Sequence, residues 1–443
     1  MKQIHFLVLL LTATLTLHAG YTLRPASRPH SALDRMAFHR VADMRTIPQD
    51  PAWYARQARP MKVMTQLRYD AAYNRRYFKP WHMQRFGEPL QEMEWAFRMV
   101  QRRPVYDNRH KQVPGKTWQW WVKNAHFAAL DTVKGRAVSV RHTNLRALPT
   151  RTAAYRDPWK NTEGFPFDYN QNSALYPNTP LYVSHYSLDG KWAFVHSPDA
   201  YGWVPVRDMA RVSGAFIRRF KTGRYAMAVR DNMALYHNRR RVSLVKLGTL
   251  FPMDRQGRHL LLATRSPGGE ARIATVKRPS LGMVAPKPLA FTPANLAYIA
   301  RQLKRDPYGW GGIAYGRDCS ATTRDFLGVF GIFLRRNSSD QARDGAQVVN
   351  IKPLKGRAKK DAILQHARPF RSLLYVPGHI GIYLGRYKNE PVLMHTYWGV
   401  RLKDYTKYTL SHTIITTTEP GKELPNLRRK SMMSNTLQKI INF

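Results

Sequence analysis

A chain of 443 residues exceeds one ordinary hydrophobic core and predicts roughly two to four domains. Apolar residues at 43% and aromatics at 12% exclude a disordered chain. The 72 Lys and Arg against 28 Asp and Glu give a formal charge of +44, spread along the chain, which calls for a polyanionic partner or else a strongly solvated surface.

Met1-Lys2, an apolar run from Phe6 to Leu17 and a small-residue exit at Ala19-Gly20 have the layout of a secretory signal peptide over 1–19. The run is too short for a comfortable transmembrane span, and no later segment reaches spanning length. The mature protein is expected to be exported to the periplasm or cell envelope, without a transmembrane anchor, as a monomer. Export argues against nucleic acid and turns the basic charge toward an anionic cell wall. It also makes the single cysteine, Cys319, unusual, since it has no disulfide partner within the chain.

Residues 20–122 predict a mainly helical N-terminal region. Its aromatics, among them Tyr77, Phe78, Trp81, Trp95, Phe97 and Trp118, fit a helical core better than a sugar-stacking surface. Short alternating runs follow at Ala137–Val140, Leu181–Ser184, Lys191–Val195 and Tyr201–Val204, with Asp189-Gly190 marking a hairpin turn. A second set runs from Tyr225 to Thr275. Two small β-barrels, 123–211 and 212–280, are therefore expected before a proline-spaced linker. Thr292-Pro293 then opens a helix that must stop near Asp306-Pro307. The last domain is expected over 281–425, followed by a basic tail over 426–443.

The chemistry concentrates after Pro307. Gly309, Gly311 and Gly312 allow tight turns around Tyr308 and Trp310, and Asp318 is a capping residue type that puts Cys319 in a first helical turn. Unpaired amides there are expected to lower the thiol pKa and sharpen a nucleophile. A thiolate needs an imidazole base and a group to orient it. His379 and His395 lie on two predicted strands, and a hairpin centred on Tyr387 would set them directly opposite each other, about 4.5–5.5 Å apart at Cβ. One cysteine and no His-Glu-x-x-His segment leave no metal site, and no phosphate loop or Gly-x-Ser-x-Gly elbow is present; no cofactor is expected.

Tyr308-Gly-Trp-Gly-Gly312, Asp318-Cys-Ser320, Gly331–Ser338 with Gln341, Gly378-His-Ile-Gly-Ile-Tyr383 and His395 together resemble the NlpC-type family of bacterial cell-wall cysteine peptidases, over about Pro293 to Thr418. The chain departs from that family at Leu334-Arg335-Arg336, where a proline is usual, and at Ala321, where a glycine is usual. Asp189–Val195 and Gly202–Val204 resemble bacterial SH3-like domains, and the helical start is similar to a stabilising region of such proteins. The resemblance implies an α+β chain whose papain-like domain, a Cys-bearing helix on an antiparallel sheet, follows two SH3-like barrels. It further implies Cys319 as nucleophile, His379 as base, His395 as orienter and Tyr308 near the thiolate or oxyanion. Asp318 and Ser320 would grip a substrate ammonium, with Trp310, Arg336 and Ser338 lining the groove. The implied substrate is the peptidoglycan stem peptide, cut between γ-D-glutamate and a diamino acid, with a free N-terminal L-alanine preferred. A wall-binding adhesion protein, or an amidase or acyltransferase on another amide or ester, are the alternatives.

Overall fold

The computed structural model describes residues 40–237, 240–279, 282–304 and 306–443. The predicted signal peptide and the start of the lead-in lie outside the described residues. No described helix is long and apolar enough to cross a membrane. Architecture and fold class follow the expected α+β plan, with an N-terminal helical region, SH3-like β structure and a papain-like C-terminal domain.

The N-terminal region centres on α1 (Val63–Tyr77) and α2 (Gly115–Asn124). Tyr77, Phe78, Trp81 and Trp118 are buried, which makes them core; Trp95 remains 39% exposed. α1 does not fold against itself. Its Tyr73 and Tyr77 share one hydrophobic core with Phe326, Phe330 and Ile380 of the C-terminal domain. Gln66 donates to the Phe330 carbonyl at 3.1 Å, and Lys287 of the linker reaches Asp70 and lies 3.8 Å from the Tyr73 ring centroid. These contacts explain why a polar, arginine-rich segment orders: it satisfies backbone groups that the C-terminal domain leaves open.

The first β module contains β1 (Gly135–Ser139), β2 (Thr143–Arg146), β3 (Gln171–Leu175), β4 (Pro180–Tyr186), β5 (Trp192–His196), β6 (Tyr201–Pro205) and β7 (Met209–Arg211), in the order β3-β2-β6-β5-β4-β1-β7. The Asp189-Gly190 turn joins β4 to β5 with Gly190 at φ 67°, the left-handed geometry that turn needs. A long excursion between β2 and β3 carries Asn161 and Phe167. The second module contains β8 (Tyr225–Ala228), β9 (Met233–His237), β10 (Arg240–Val245), β11 (Leu250–Pro252), β12 (His259–Arg265), β13 (Ala271–Lys277) and β14 (Val284–Pro286), paired in three small sheets.

The C-terminal domain packs α3 (Pro293–Leu303) and α4 (Cys319–Val329) on an antiparallel sheet. Thr292 caps α3, accepting from Asn295 N at 3.4 Å, with Pro293 in its first turn. After β15 (Gln347–Asn350) and α5 (Gly356–His366) come β16 (Ser372–Val376), β17 (His379–Tyr387), β18 (Glu390–Arg401), β19 (Lys407–Thr417) and β20 (Lys439–Asn442). The sheet order is β15-β20-β16-β17-β18-β19. The expected basic tail over 426–443 is thus corrected. Its last strand is inserted between β15 and β16, because Ile440 and Ile441 bury completely once two partner strands satisfy their backbone.

Candidate active site

The site is assembled at the N-terminus of α4. Gly311 and Gly312 adopt φ 58° and 83°, and their loop presses against β3 so closely that a Cβ on Gly311 would meet the Gln171 carbonyl at 2.7 Å. Gln171 Nε2 donates to the Gly311 carbonyl at 3.0 Å. Asp318 caps α4 by accepting from Ala321 N at 2.9 Å, and its other oxygen accepts from Gly311 N at 3.0 Å. One carboxylate therefore ties the glycine loop to the helix that starts with Cys319.

The expected role of Asp318 and Ser320 as ammonium contacts meets a different arrangement. Arg336 donates to both Asp318 oxygens, at 2.6 and 3.1 Å, to Ser320 Oγ at 2.8 Å and to Ser173 Oγ of β3 at 2.9 Å. All three residues are buried, and the Asp318 charge is already compensated by Arg336, whose guanidinium holds the carboxyl below its ordinary range. Ser338 begins the short helix Ser338–Gln341, whose Gln341 donates to the Ser320 carbonyl at 2.9 Å.

Cys319 is 8% exposed. Burial, with the neighbouring Asp318 charge second, pushes its thiol up to about 12, against the pull of the Ile380 and Ser320 amides. The expectation of a lowered pKa is corrected accordingly: the helix start is present, but desolvation and a buried carboxylate outweigh it.

His379 and His395 meet, though not by the expected register. The turn lies at Lys388-Asn389, both with positive φ, not at Tyr387. Tyr387 pairs with Glu390, which alone would set His395 opposite the core residue Ile382. A bulge at Leu384 shifts the pairing so that Ile382 faces Met394 and both histidines share a face. Gly381 then stands beside His395, where a Cβ would approach His395 Cβ to 3.0 Å, so the position is kept clear for the rings. The two histidines are diagonal neighbours, with His379 Nε2 and His395 Nδ1 2.8 Å apart.

Hydrogen bonding behind them fixes the tautomers. Thr416 donates its hydroxyl proton to the Thr417 carbonyl at 2.8 Å, so its oxygen accepts from His395 Nε2 at 3.0 Å. His395 carries its proton on Nε2, and its Nδ1 accepts from His379 Nε2. His379 Nδ1 is left as the free base. Burial, reinforced by the Lys407 charge, lowers His379 to about 3, and burial lowers His395 further below its ordinary value. A neutral thiol and a neutral imidazole therefore line the same groove.

That groove has a volume of about 640 Å³. Tyr308, Trp310, Cys319 and His379 line it, whereas His395 stands behind His379 and Asp318, Ser320, Arg336 and Ser338 are not on its wall. Tyr308 packs its ring 5.4 Å from Trp398, and its backbone amide donates to Ser411 at 2.8 Å. Three lining features lacked a local sequence signal. Phe167 of the first β module stacks edgewise on Trp310 at 5.4 Å and on Trp398 at 5.5 Å, closing one side. Asn161 from the same excursion bonds Trp398 Nε1 and both backbone groups of Lys407. Met433 and Leu437 of the C-terminal segment also line the groove.

Residues 305–418 match the NlpC/P60 family model, residues 153–205 an SH3 domain of the SH3b1 type, and residues 6–129 the NlpC/P60 N-terminal stabilising domain. Residues 305–418 form a domain of the NlpC/P60 family. Its structure is similar to that of an NlpC/P60 endopeptidase from Photobacterium damselae subsp. piscicida, with a TM-score of 0.81 and 22% identity over 92% of this chain and 98% of that one. At that identity the likeness is one of fold. An NlpC/P60 family protein from Bacillus cereus matches with a TM-score of 0.46 and 14% identity, over 70% of this chain and 99% of that one. No curated protein matches in sequence. A domain of that family implies a cysteine peptidase.

Proposed function

We propose that this NlpC/P60 peptidase is an exported peptidoglycan hydrolase that cleaves the amide between γ-D-glutamate and the diamino acid of stem peptides. The observation that carries the reading is the hydrogen bond of 2.8 Å between His379 and His395, which frees His379 Nδ1 beside the only cysteine. As Cys319 Sγ attacks the amide carbon, its proton passes to His379 Nδ1, and Tyr308 stands beside the developing oxyanion. The intermediate collapses to a thioester when that proton moves on to the departing amine. Water then attacks the thioester with His379 again as base, releasing the carboxylate and restoring the thiol. His395 and Thr416 hold the His379 ring through both transfers.

Asp318, Ser320 and Arg336 act from beneath, as positioning residues for α4 and its loop. A preference for a free N-terminal L-alanine follows from the family resemblance, and the compensated Asp318 does not supply its anchor. The SH3b-type module and the signal-like start both support a wall substrate met outside the cytoplasm. Purified protein incubated with free stem tripeptide and with intact sacculi, followed by mass spectrometry, tests the reading. Release of the diamino acid or its peptides by native protein and not by Cys319→Ala is expected. Equal product from both proteins, or cleavage at another bond, would overturn it.

A further inference from the structure

The groove beside Cys319 carries charge of one sign only. Lys352, Arg401, Lys407 and Lys430 all line it, and no Asp or Glu does. Among the described residues, none of these four takes part in a salt bridge, although the same structure pairs other buried cations such as Lys246 and Arg317 with carboxylates. Arg401 and Lys407 face each other across the β18–β19 ladder at the groove's edge. The Lys407 backbone is held from both sides by Asn161, whose amide donates to its carbonyl at 2.7 Å and whose oxygen accepts from its N–H at 3.2 Å. A half-buried ammonium on a backbone fixed in this way, without a counter-charge, is costly unless something supplies one.

We propose that Lys407 and Arg401, with Lys352 and Lys430 of the same groove lining, form an anion subsite that takes a carboxylate of the substrate next to the scissile amide. The inference rests on the peptidase reading and narrows its substrate class to acidic peptides. It also suits the chemistry. The Lys407 charge opposes protonation of His379, and burial together with Arg401 lowers Lys407 itself to about 8. A carboxylate seated between them offsets the ammonium's repulsion of the imidazolium that forms when His379 takes the thiol proton. The cationic exterior, at +44 overall, draws the same class of ligand toward the groove.

The test compares the free-acid stem tripeptide with two analogues, one carrying a carboxamide in place of the glutamyl α-carboxylate and one in place of the diamino acid carboxylate. Binding is measured by calorimetry on Cys319→Ala, which cannot turn the peptides over, and cleavage on native protein. At least one carboxamide is expected to bind about 10-fold or more weakly than the acid, as loss of a charge-assisted contact predicts, with the gap shrinking at high salt. Adding Lys407→Met is expected to bring the acid-to-carboxamide ratio near one. Adding Arg401→Gln instead, at an exposed position that tolerates change, is expected to reduce the ratio partly. Equal binding of all three peptides to Cys319→Ala, or a ratio untouched by both substitutions, would overturn the subsite. Absence of cleavage by native protein would instead overturn the peptidase reading, and the binding ratios would still decide the subsite.

Discussion

The two β modules grip the same stretch of the C-terminal domain, residues 306–325, with a different balance of shape and charge. The first meets it largely through close-fitting contacts, Gln171 on the Gly311 loop and Phe167 on Trp310, with a single ion pair among the described residues, Asp199 with Arg324 at 2.6 Å. The second meets it through buried charge. Asp231 accepts from Arg317 at 2.8 and 2.9 Å and from Lys246 at 2.7 Å, while Arg317, fully buried, also binds Asp306 and Asp325 at 2.7 Å each. Lys246 further donates to the Tyr315 carbonyl at 2.7 Å. A charge knot holds the stretch in place, and a shaped surface gives it a working face. The first module should therefore govern activity and the second stability.

Breaking the knot has the largest expected effect. Asp231→Ala leaves Arg317 and Lys246 buried with one compensating carboxylate fewer, which predicts a loss of about 3–5 kcal/mol in urea unfolding. Molecules that remain folded should keep kcat/KM within a few-fold of native. A large activity loss at unchanged stability would reverse the assignment of the two modules. Gly311→Ala attacks the other side. A Cβ at φ 58° driven against the Gln171 carbonyl predicts about 1–3 kcal/mol of destabilisation, with a loss of activity greater than that of Asp231→Ala, since the loop carries Tyr308 and Trp310. Phe167→Ala removes one groove wall and should lower kcat/KM roughly 10-fold through lost aromatic contacts, with little change in unfolding.

Acidification adds a further probe, because two buried imidazoles, one in the groove and one beside the knot, resist protonation. His379 titrates at about 3 in the folded protein against an ordinary value of 6.5, as does His142, which stacks on Tyr315 at 4.4 Å where the first module meets the loop. Between those values the unfolded chain binds protons that the folded chain refuses, so stability is full above about 6.5 and declines as pH falls toward 3. In the knot, Asp231 is held below its ordinary range by Arg317 and Lys246, whereas burial pushes Asp306 up. Thermal unfolding scanned from pH 7.5 to 4.5 should show a progressive loss beginning near 6.5; a flat profile would contradict buried neutral imidazoles.

Much of this was legible where the determinant is local. The Asp189-Gly190 hairpin, the Thr292-Pro293 helix start and the Asp318 cap each depend on a few adjacent residues, and the structure has all three. The histidine pair was legible in outcome but not in register, since the bulge at Leu384 answers to packing on both faces of β17 and leaves no mark in an alternating pattern. Phe167 and β20 were invisible for a related reason. Each acquires its role only from partners more than sixty residues away, Trp310 and Trp398 for the first and β15 and β16 for the second. The thiol was misjudged because a helix start is local whereas burial is not.

That last point bears directly on the proposed pair of Cys319 and His379, which rests neutral and moves its proton only as the thiol attacks. Cys319 is the sole cysteine, so alkylation by iodoacetamide reports on it alone. Measured from pH 5 to 9 on native protein, the rate should climb steadily with pH and show no plateau, as a thiol pushed up to about 12 requires. A fast rate already level between pH 5 and 8 would reveal a preformed thiolate–imidazolium pair and contradict a neutral resting state.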